Sequence, residues 1–390
     1  MNDLKKYKFL HVFGPDTKNS YGILSQLHKK FSSEEHKYLI SSYASNRERF
    51  PKLQEFDDLM FIPEEGNIIG KIWFFFKTLW DSEIIIWHSL YFTTYKYTIF
   101  LYFCRFLLKK SVWIEWGADL YIWDFPKTSR KNKLKNHINK KIRESFNYIG
   151  CCFECDDVEV RRQFGDHVKC FYTPLPNPMK NPTELIEMIE ASKPPAYPAH
   201  WKNRSLMVQI AHNSFSFNNH IKLIDYLKRF KEHDIVYVIP LSYGIYGING
   251  QYGGLAYRKK VIMYAYKELD GRNLNLYENI PFEEYIKFLW DIDIAVFDFS
   301  RPCGLGTLRI LLLMGKKVFL PSGSPYYDYL LSKGLPIFDT RDIPKMTYEE
   351  FIEPPVYENK QWVYEYMNND SVMENWAKMF DELKERFHLQ

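Results

Sequence analysis

The sequence predicts an α/β protein made of two parallel-sheet halves, and three observations predict it. Short apolar runs alternate with stretches of helical periodicity along most of the 390 residues, and strands separated by helices of about ten residues or more belong in a parallel sheet covered on both faces. At about 150 residues per domain, the length allows two domains and an extension. Seven of the 20 prolines (positions 174, 176, 178, 182, 194, 195 and 198) fall within 25 residues near the middle, where a fixed φ and missing N–H groups break helix and ladder alike.

In the first half the strand-like runs are Lys8 to Phe13, Lys37 to Ser41, Ile84 to His88, Ser111 to Glu115, Asn147 to Phe153 and Lys169 to Tyr172, with a helix from Tyr21 to Phe31. In the second half they are Leu206 to Ala211, Ile235 to Ile239, Leu274 to Tyr277, Ile292 to Phe299, Lys317 to Leu320 and Leu335 to Phe338. The expected domains are 1–178, a proline-rich linker at 179–203 around a short helix from Thr183 to Ala191, a second domain at 204–355, and a helical extension at 356–390. In the extension, Val372 to Phe387 reads as a helix with Met373, Trp376, Met379, Phe380 and Leu383 on one face.

A formal net charge of +4 on a chain that is 26% charged excludes a uniformly basic nucleic-acid binder, and 46% hydrophobic residues exclude disorder as the main state. Six scattered cysteines fit a reducing compartment, and the lone CxxC of Cys152 and Cys155 lacks the second ligand pair a zinc site wants. The start reads as a first strand, with no secretory signal. Two stretches tempt a membrane span. Trp87 to Leu108 is interrupted by Lys96 and Arg105, and Ile235 to Tyr257 contains Pro240 and five glycines, so the protein is expected not to be integral.

Ligands of an open parallel sheet bind at the carboxyl ends of its strands. The loop Asp298-Phe299-Ser300-Arg301-Pro302-Cys303-Gly304-Leu305-Gly306-Thr307 joins an apolar strand to an apolar helix. Gly304 and Gly306 permit close approach, and Arg301, Thr307 and the helix-start N–H groups suit a phosphate or pyrophosphate; a bare turn is the competing reading. The loop His212 to His220, which carries Asn213, Ser214 and Asn219, reads either as a helix cap supplied by Asn218 or Asn219 or, since nine polar and aromatic residues exceed what a cap requires, as a ligand loop. Tyr243 ends a third strand of the same half. In the first half His88 and the run Glu115-Trp116-Gly117-Ala118-Asp119 offer a histidine and two carboxylates, candidates for a general base against a purely structural role. Asp291-Ile292-Asp293 reads as a helix-to-strand turn rather than a metal site. Eight Lys/Arg and no acidic residue lie between 127 and 143, among them Lys131, Lys133, Lys135, Lys140, Lys141 and Arg143. They form either a solvated helix face or, beside the aromatic stretches Ile72 to Phe76 and Tyr91 to Leu108, a surface for an anionic membrane.

Together WGADLY at 116–121, HNSFSFNNH at 212–220, IPLSYG at 239–244 and RPCGLGT at 301–307 resemble the TDP-N-acetylfucosamine:lipid II N-acetylfucosaminyltransferase family, 4-alpha-L-fucosyltransferase or glycosyltransferase family 56. The resemblance runs from HVFG at 11–14 to GLPIF at 334–338. It implies a GT-B architecture of two Rossmann-like domains facing across a cleft, on the cytoplasmic face of the bacterial inner membrane. It also implies metal-independent transfer, without cofactor, of a deoxyamino sugar (Fuc4NAc-like) from a dTDP-sugar to a polyprenyl-diphosphate-linked saccharide in surface polysaccharide synthesis. Asn213, Ser214, Asn219, His220, Tyr243, Arg301, Gly304, Gly306 and Thr307 are then expected at the donor. Asp119, His88 or Glu115 is expected in catalysis, and Trp116 with the basic run at the acceptor and membrane. The chain departs from the pattern at Glu115, where a hydrophobic residue is expected, and at Ile310, Leu311 and Leu312, where retaining GT-B enzymes carry a second glutamate. The alternatives are a UDP-sugar transferase of capsule or cell-wall synthesis, and a silent GT-B module that binds a membrane or a partner.

Overall fold

The computed structural model describes residues 7–14, 20–43, 53, 55–90, 95–121, 129–177, 179, 181, 183–194, 204–244, 253–299 and 303–389. It has two compact units, Met1–Pro182 with Asn368–Gln390, and Thr183–Met367.

The first unit runs β1 (Tyr7–Phe13), α1 (Ser20–Lys30), β2 (His36–Tyr43), β3 (Leu59–Ile62), α2 (Ile68–Trp80), β4 (Ser82–His88) and α3 (Tyr95–Phe103). A 3-10 turn at Arg105–Lys110 leads into β5 (Ser111–Ile114), α4 (Ala118–Tyr121), α5 (Arg130–Arg143), β6 (Tyr148–Cys151), α6 (Asp156–Phe164) and β7 (Lys169–Tyr172). Its sheet is parallel in the order β3-β2-β1-β4-β5-β6-β7. Alternate residues serve opposite faces. Leu10, Val12, Ile85, Trp87 and Trp113 pack under α2, α3 and α5, whereas Phe9, Phe13, Tyr38, Ile84, Ile86 and Val112 pack under α1 and the last helix. Burial on both faces is why these strands read as unbroken apolar runs.

The second unit contributes α7 (Glu184–Ala191), β8 (Leu206–Ile210), α8 (His220–Leu227), β9 (Ile235–Pro240), α9 (Leu255–Glu268), β10 (Asn273–Leu276), α10 (Phe282–Asp291) and β11 (Ile294–Val296). Then follow α11 (Leu305–Leu313), β12 (Lys317–Leu320), α12 (Pro325–Ser332), β13 (Ile337–Asp339), α13 (Tyr348–Ile352) and α14 (Gln361–Met367). Its parallel sheet has the order β10-β9-β8-β11-β12-β13.

Two expected boundaries change. The segment read as linker includes α7, which is part of the second unit: Trp290 Nε1 donates to Ile189 O at 3.1 Å and to Ser192 Oγ at 3.0 Å. The expected extension is divided. α14 stays with the second unit, while α15 (Asn369–Arg386) is a layer of the first. Its apolar face, Met373, Trp376, Met379, Phe380 and Leu383, is buried on the sheet, and Trp376 Nε1 donates to Pro174 O at 2.9 Å.

Candidate active site

In the second sheet the chain leaves β8 toward β9 on one side and returns at β11 on the other, so the loops after β8 and β11 diverge at the carboxyl edge. Such a reversal point is where open α/β sheets bind ligands. Both loops singled out in the sequence flank it. Ala211 N donates to Val296 O at 2.9 Å, closing the strands at the edge. Asn219, left-handed at φ 52°, donates from Nδ2 to Asp298 O at 2.7 Å, and Cys303 Sγ lies 3.2 Å from Asn218 Oδ1. Gly304 is also left-handed, at φ 70°, and a Cβ there would meet the His212 ring at 2.4 Å. Glycine is required because the His212 ring occupies the side-chain position.

α11 starts directly after Gly304, with no side-chain cap. Its first N–H groups and its dipole make an anion-binding end. Gly306 is exposed, and a Cβ on it would meet nothing within 4 Å. Thr307 Oγ1 pairs with Tyr285 OH at 2.9 Å, a partner outside every sequence motif. Arg301 lies outside the described residues.

The remaining expected donor residues divide into scaffold and surface. Asn213 is buried; its Oδ1 accepts from Phe215 N at 3.0 Å and Asn218 Nδ2 at 2.7 Å, and its Nδ2 lies 2.6 Å from His212 Nε2. Ser214, buried as well, donates from both N and Oγ to Tyr243 O. His220 is enclosed, 3.2 Å from Tyr257 OH, and burial lowers its pKa to about 4. These three hold the loop in shape, so the expectation that they reach the donor directly is corrected. Among the described residues the surface is left to the half-buried His212 and Asn219, the exposed Tyr243 side chain, Gly306 and Thr307. At the place of the missing glutamate, Ile310, Leu311 and Leu312 are buried core residues.

In the first unit the corrections are larger. His88 is fully buried on the α15 side of the sheet, stacked on Phe13 (centroids 3.9 Å apart) and on Trp376 (5.7 Å). Its Nε2 lies 2.9 Å from His11 Nδ1, and His11 Nε2 lies 2.9 Å from His36 Nδ1. This is an internal row of histidines, closed to a substrate, with every pKa lowered chiefly by burial. Asp119 is also at 0% exposure. Its Oδ2 accepts from Leu90 N (3.0 Å) and Trp113 Nε1 (2.7 Å), and its Oδ1 accepts from Trp116 N (2.8 Å), so it ties the loop after β4 to the loop after β5. Glu115 takes N–H groups from Cys152 and Gly117. Burial first, then the charges of Asp156 and Asp119, push its carboxyl well above the usual range. It ties the ends of β5 and β6 together, with burial and the neighbouring carboxylates disfavouring its charged form. Trp116, Gly117 and Ala118 remain half-exposed.

Among the described residues no group of three or more His, Cys, Asp or Glu is arranged to hold a metal ion. Asp293 takes the Arg204 guanidinium on both oxygens at 3.1 Å and Met207 N at 2.8 Å, so the Asp291-Ile292-Asp293 turn is a structural joint. On the expected basic face Arg130, Lys131, Lys133, Lys140 and Lys141 are exposed and Lys135 is half-buried, but Arg143 is buried, its guanidinium over the Phe164 ring. No helix among the described residues is long and apolar enough to cross a membrane.

Two parallel sheets of this strand order, with loops converging at the reversal point of the second, are the architecture of GT-B glycosyltransferases. Solved structures agree on the fold. The Anabaena protein HepE in complex with UDP and glucose aligns with a TM-score of 0.62 at 12% identity over 96% of this chain and 99% of its own. A glycosyltransferase from Rickettsia africae gives 0.59 at 11%, over 97% and 98%. An E. coli trehalose-6-phosphate structure bound with UDP-2-fluoro glucose gives 0.58 at 12%, over 97% and 99%. Within that class the chain belongs to the 4-alpha-L-fucosyltransferase family, glycosyl transferase group 56, whose model matches residues 9–350.

Proposed function

We propose that this glycosyltransferase moves a deoxyamino sugar of the Fuc4NAc type from a dTDP-sugar to a polyprenyl-diphosphate-linked saccharide, as a peripheral protein on the cytoplasmic face of the bacterial inner membrane. The observation that carries the donor half is the start of α11, which has no side-chain cap among the described residues, beside the exposed Gly306. As the glycosidic bond to the diphosphate breaks, negative charge grows on the leaving oxygens, and preorganised N–H groups at a helix start stabilise charge where it develops. The reaction needs no redox partner. His212, Tyr243 and Thr307 line the same edge and would contact phosphate or sugar. The family supports a fucose-like sugar. In the first unit Asp119 and Glu115 act as positioning residues, fixing the Trp116–Gly117 backbone for the acceptor, and the lysines of α5 meet the anionic surface that carries it. UDP is the second reading, because two similar structures hold UDP or a UDP-sugar.

Titration of dTDP and UDP into wild-type protein and Gly306→Val tests the donor site. The Cβ position is open, so the variant should fold with an unchanged Tm yet bind dTDP more weakly by about tenfold or more, the loss of roughly 1.4 kcal/mol. An unaltered Kd would remove the α11 site, and tighter UDP binding would select the second reading.

A further inference from the structure

α2 is apolar on its outward side as well as toward the core. Asn67 caps it, its Oδ1 accepting from Gly70 N at 2.8 Å. Phe75, Thr78 and Leu79 face the core. On the outward side Ile69, Trp73, Phe76 and Trp80 follow at steps of four, three and four, one continuous helical stripe. Ile69 is 74% exposed, Trp73 61% and Trp80 48%. The stripe continues across the layer: Trp80 meets Phe106 at 6.1 Å between centroids and Phe76 meets Phe100 at 6.0 Å, with Phe103 exposed beyond. Contiguous outward apolar surface of this kind marks an interaction site.

The charge of the neighbouring surface says what covers it. α2 contains Lys71 and Lys77 and no acidic residue, although Asp81 just past its end pairs with Lys77 at 3.0 Å, and the adjoining turn adds the half-buried Arg105 and the exposed Lys109. α5, in the same helical layer and joined to α3 through Tyr102 and His137, presents Arg130, Lys131, Lys133, Lys140 and Lys141. Tryptophan and phenylalanine flanked by exposed cations match the apolar boundary and anionic headgroups of a bilayer. A second copy on a two-fold axis would bring this cationic layer against itself, which like-charge repulsion disfavours.

We propose that the α2 stripe, extended by Phe103 and Phe106, is the membrane anchor, lying in the plane of the bilayer interface while the α5 lysines engage anionic headgroups beside it. The inference rests on the reading of a lipid-linked acceptor for its purpose, and on α2 for its evidence.

The test is co-sedimentation with vesicles of phosphatidylethanolamine containing phosphatidylglycerol, for wild type and the triple variant Ile69→Ser, Trp73→Ser, Trp80→Ser. All three side chains point outward, so circular dichroism and Tm should be unchanged while partitioning falls by about tenfold or more. Vesicles with brominated acyl chains should quench wild-type tryptophan fluorescence and quench the variant's less, an arm that reads insertion even if the variant were misfolded. Partitioning of the variant within about twofold of wild type, or no quenching of wild type, would overturn the anchor. So would a concentration-dependent dimer, without lipid, that the triple variant abolishes. Nucleotide binding should be the same in both proteins. If neither dTDP nor UDP binds while vesicle binding holds, the donor reading fails and the anchor stands.

Discussion

Asp119 offers a sharp distinction at the scale of a residue. A general base and a positioning residue both lose activity on substitution, but three N–H donors converge on this carboxylate, and an asparagine in its place would have to turn an amide N–H toward one of them. Asp119→Asn should therefore lower stability by about 1 to 3 kcal/mol as well as slow turnover, with donor-nucleotide affinity unchanged. Slowed turnover at full stability would instead make Asp119 a base. The histidine row carries a pH signature. Burial holds His36 down to about 4, below its ordinary value, and holds His11 and His88 low in the same direction. Between about 6.5 and 4 the unfolded chain binds protons that the native state refuses, so stability is present near neutrality and is lost as the pH falls through that window. His36 alone should cost about 2 kcal/mol between pH 7 and pH 5. Urea midpoints at the two pH values measure the loss, and a flat profile would contradict the buried neutral row. Motif reading found the residue types of both loops, but it could not show that His88 faces α15 or that Ser214 is committed to Tyr243. Those facts depend on strand register and on partners 29 residues away or more.

At the scale of an element, the central strands were legible because each is an apolar run buried on both faces. β3 was not: Leu59–Ile62 is four residues long, half of them only partly buried, at the sheet edge. α2 reads as an aromatic stretch because residues 72–76 form an unbroken apolar run, which by periodicity alone a short buried strand would share. α15 was recognised as a helix with one apolar face, but its place on the first sheet came only from the fold. That placement predicts a large effect of a mutation far along the chain. Trp376→Ala should destabilise the first unit by about 3 to 5 kcal/mol through the cavity left against Phe380 and His88, measurable in denaturant. A loss below about 1 kcal/mol would show that α15 is not part of that core. At the start of α11, Gly304→Ala should lower stability by about 1 to 3 kcal/mol, from strain at positive φ and the close approach of His212. Gly306→Val should be tolerated, so the pair separates a structural glycine from one kept clear for ligand.

For the whole molecule, each half carries its polar loops at the carboxyl ends of its strands, the second at the reversal point of its sheet and the first after β5, and the two halves are specialised differently. The second offers an uncapped helix start among polar loops. The first offers a wired acidic turn and, on its outer helical layer, aromatic side chains among lysines. The near-neutral total charge of +4 conceals that asymmetry. The fold was readable in the alternation of apolar runs and helical stretches, and the family in four short loop motifs. The outer layer of α2, α3 and α5 left a weaker signal, a charge run and an aromatic run in separate segments that only packing brings together. The most direct test is transfer by the purified protein, given membrane lipid extract and a panel of dTDP- and UDP-linked sugars. Release of dTDP with a new lipid-linked saccharide, from a deoxyamino-sugar donor and reduced by about tenfold or more in Gly306→Val at low donor concentration, is the predicted result. Turnover with UDP-sugars alone, or none with any donor, would contradict it.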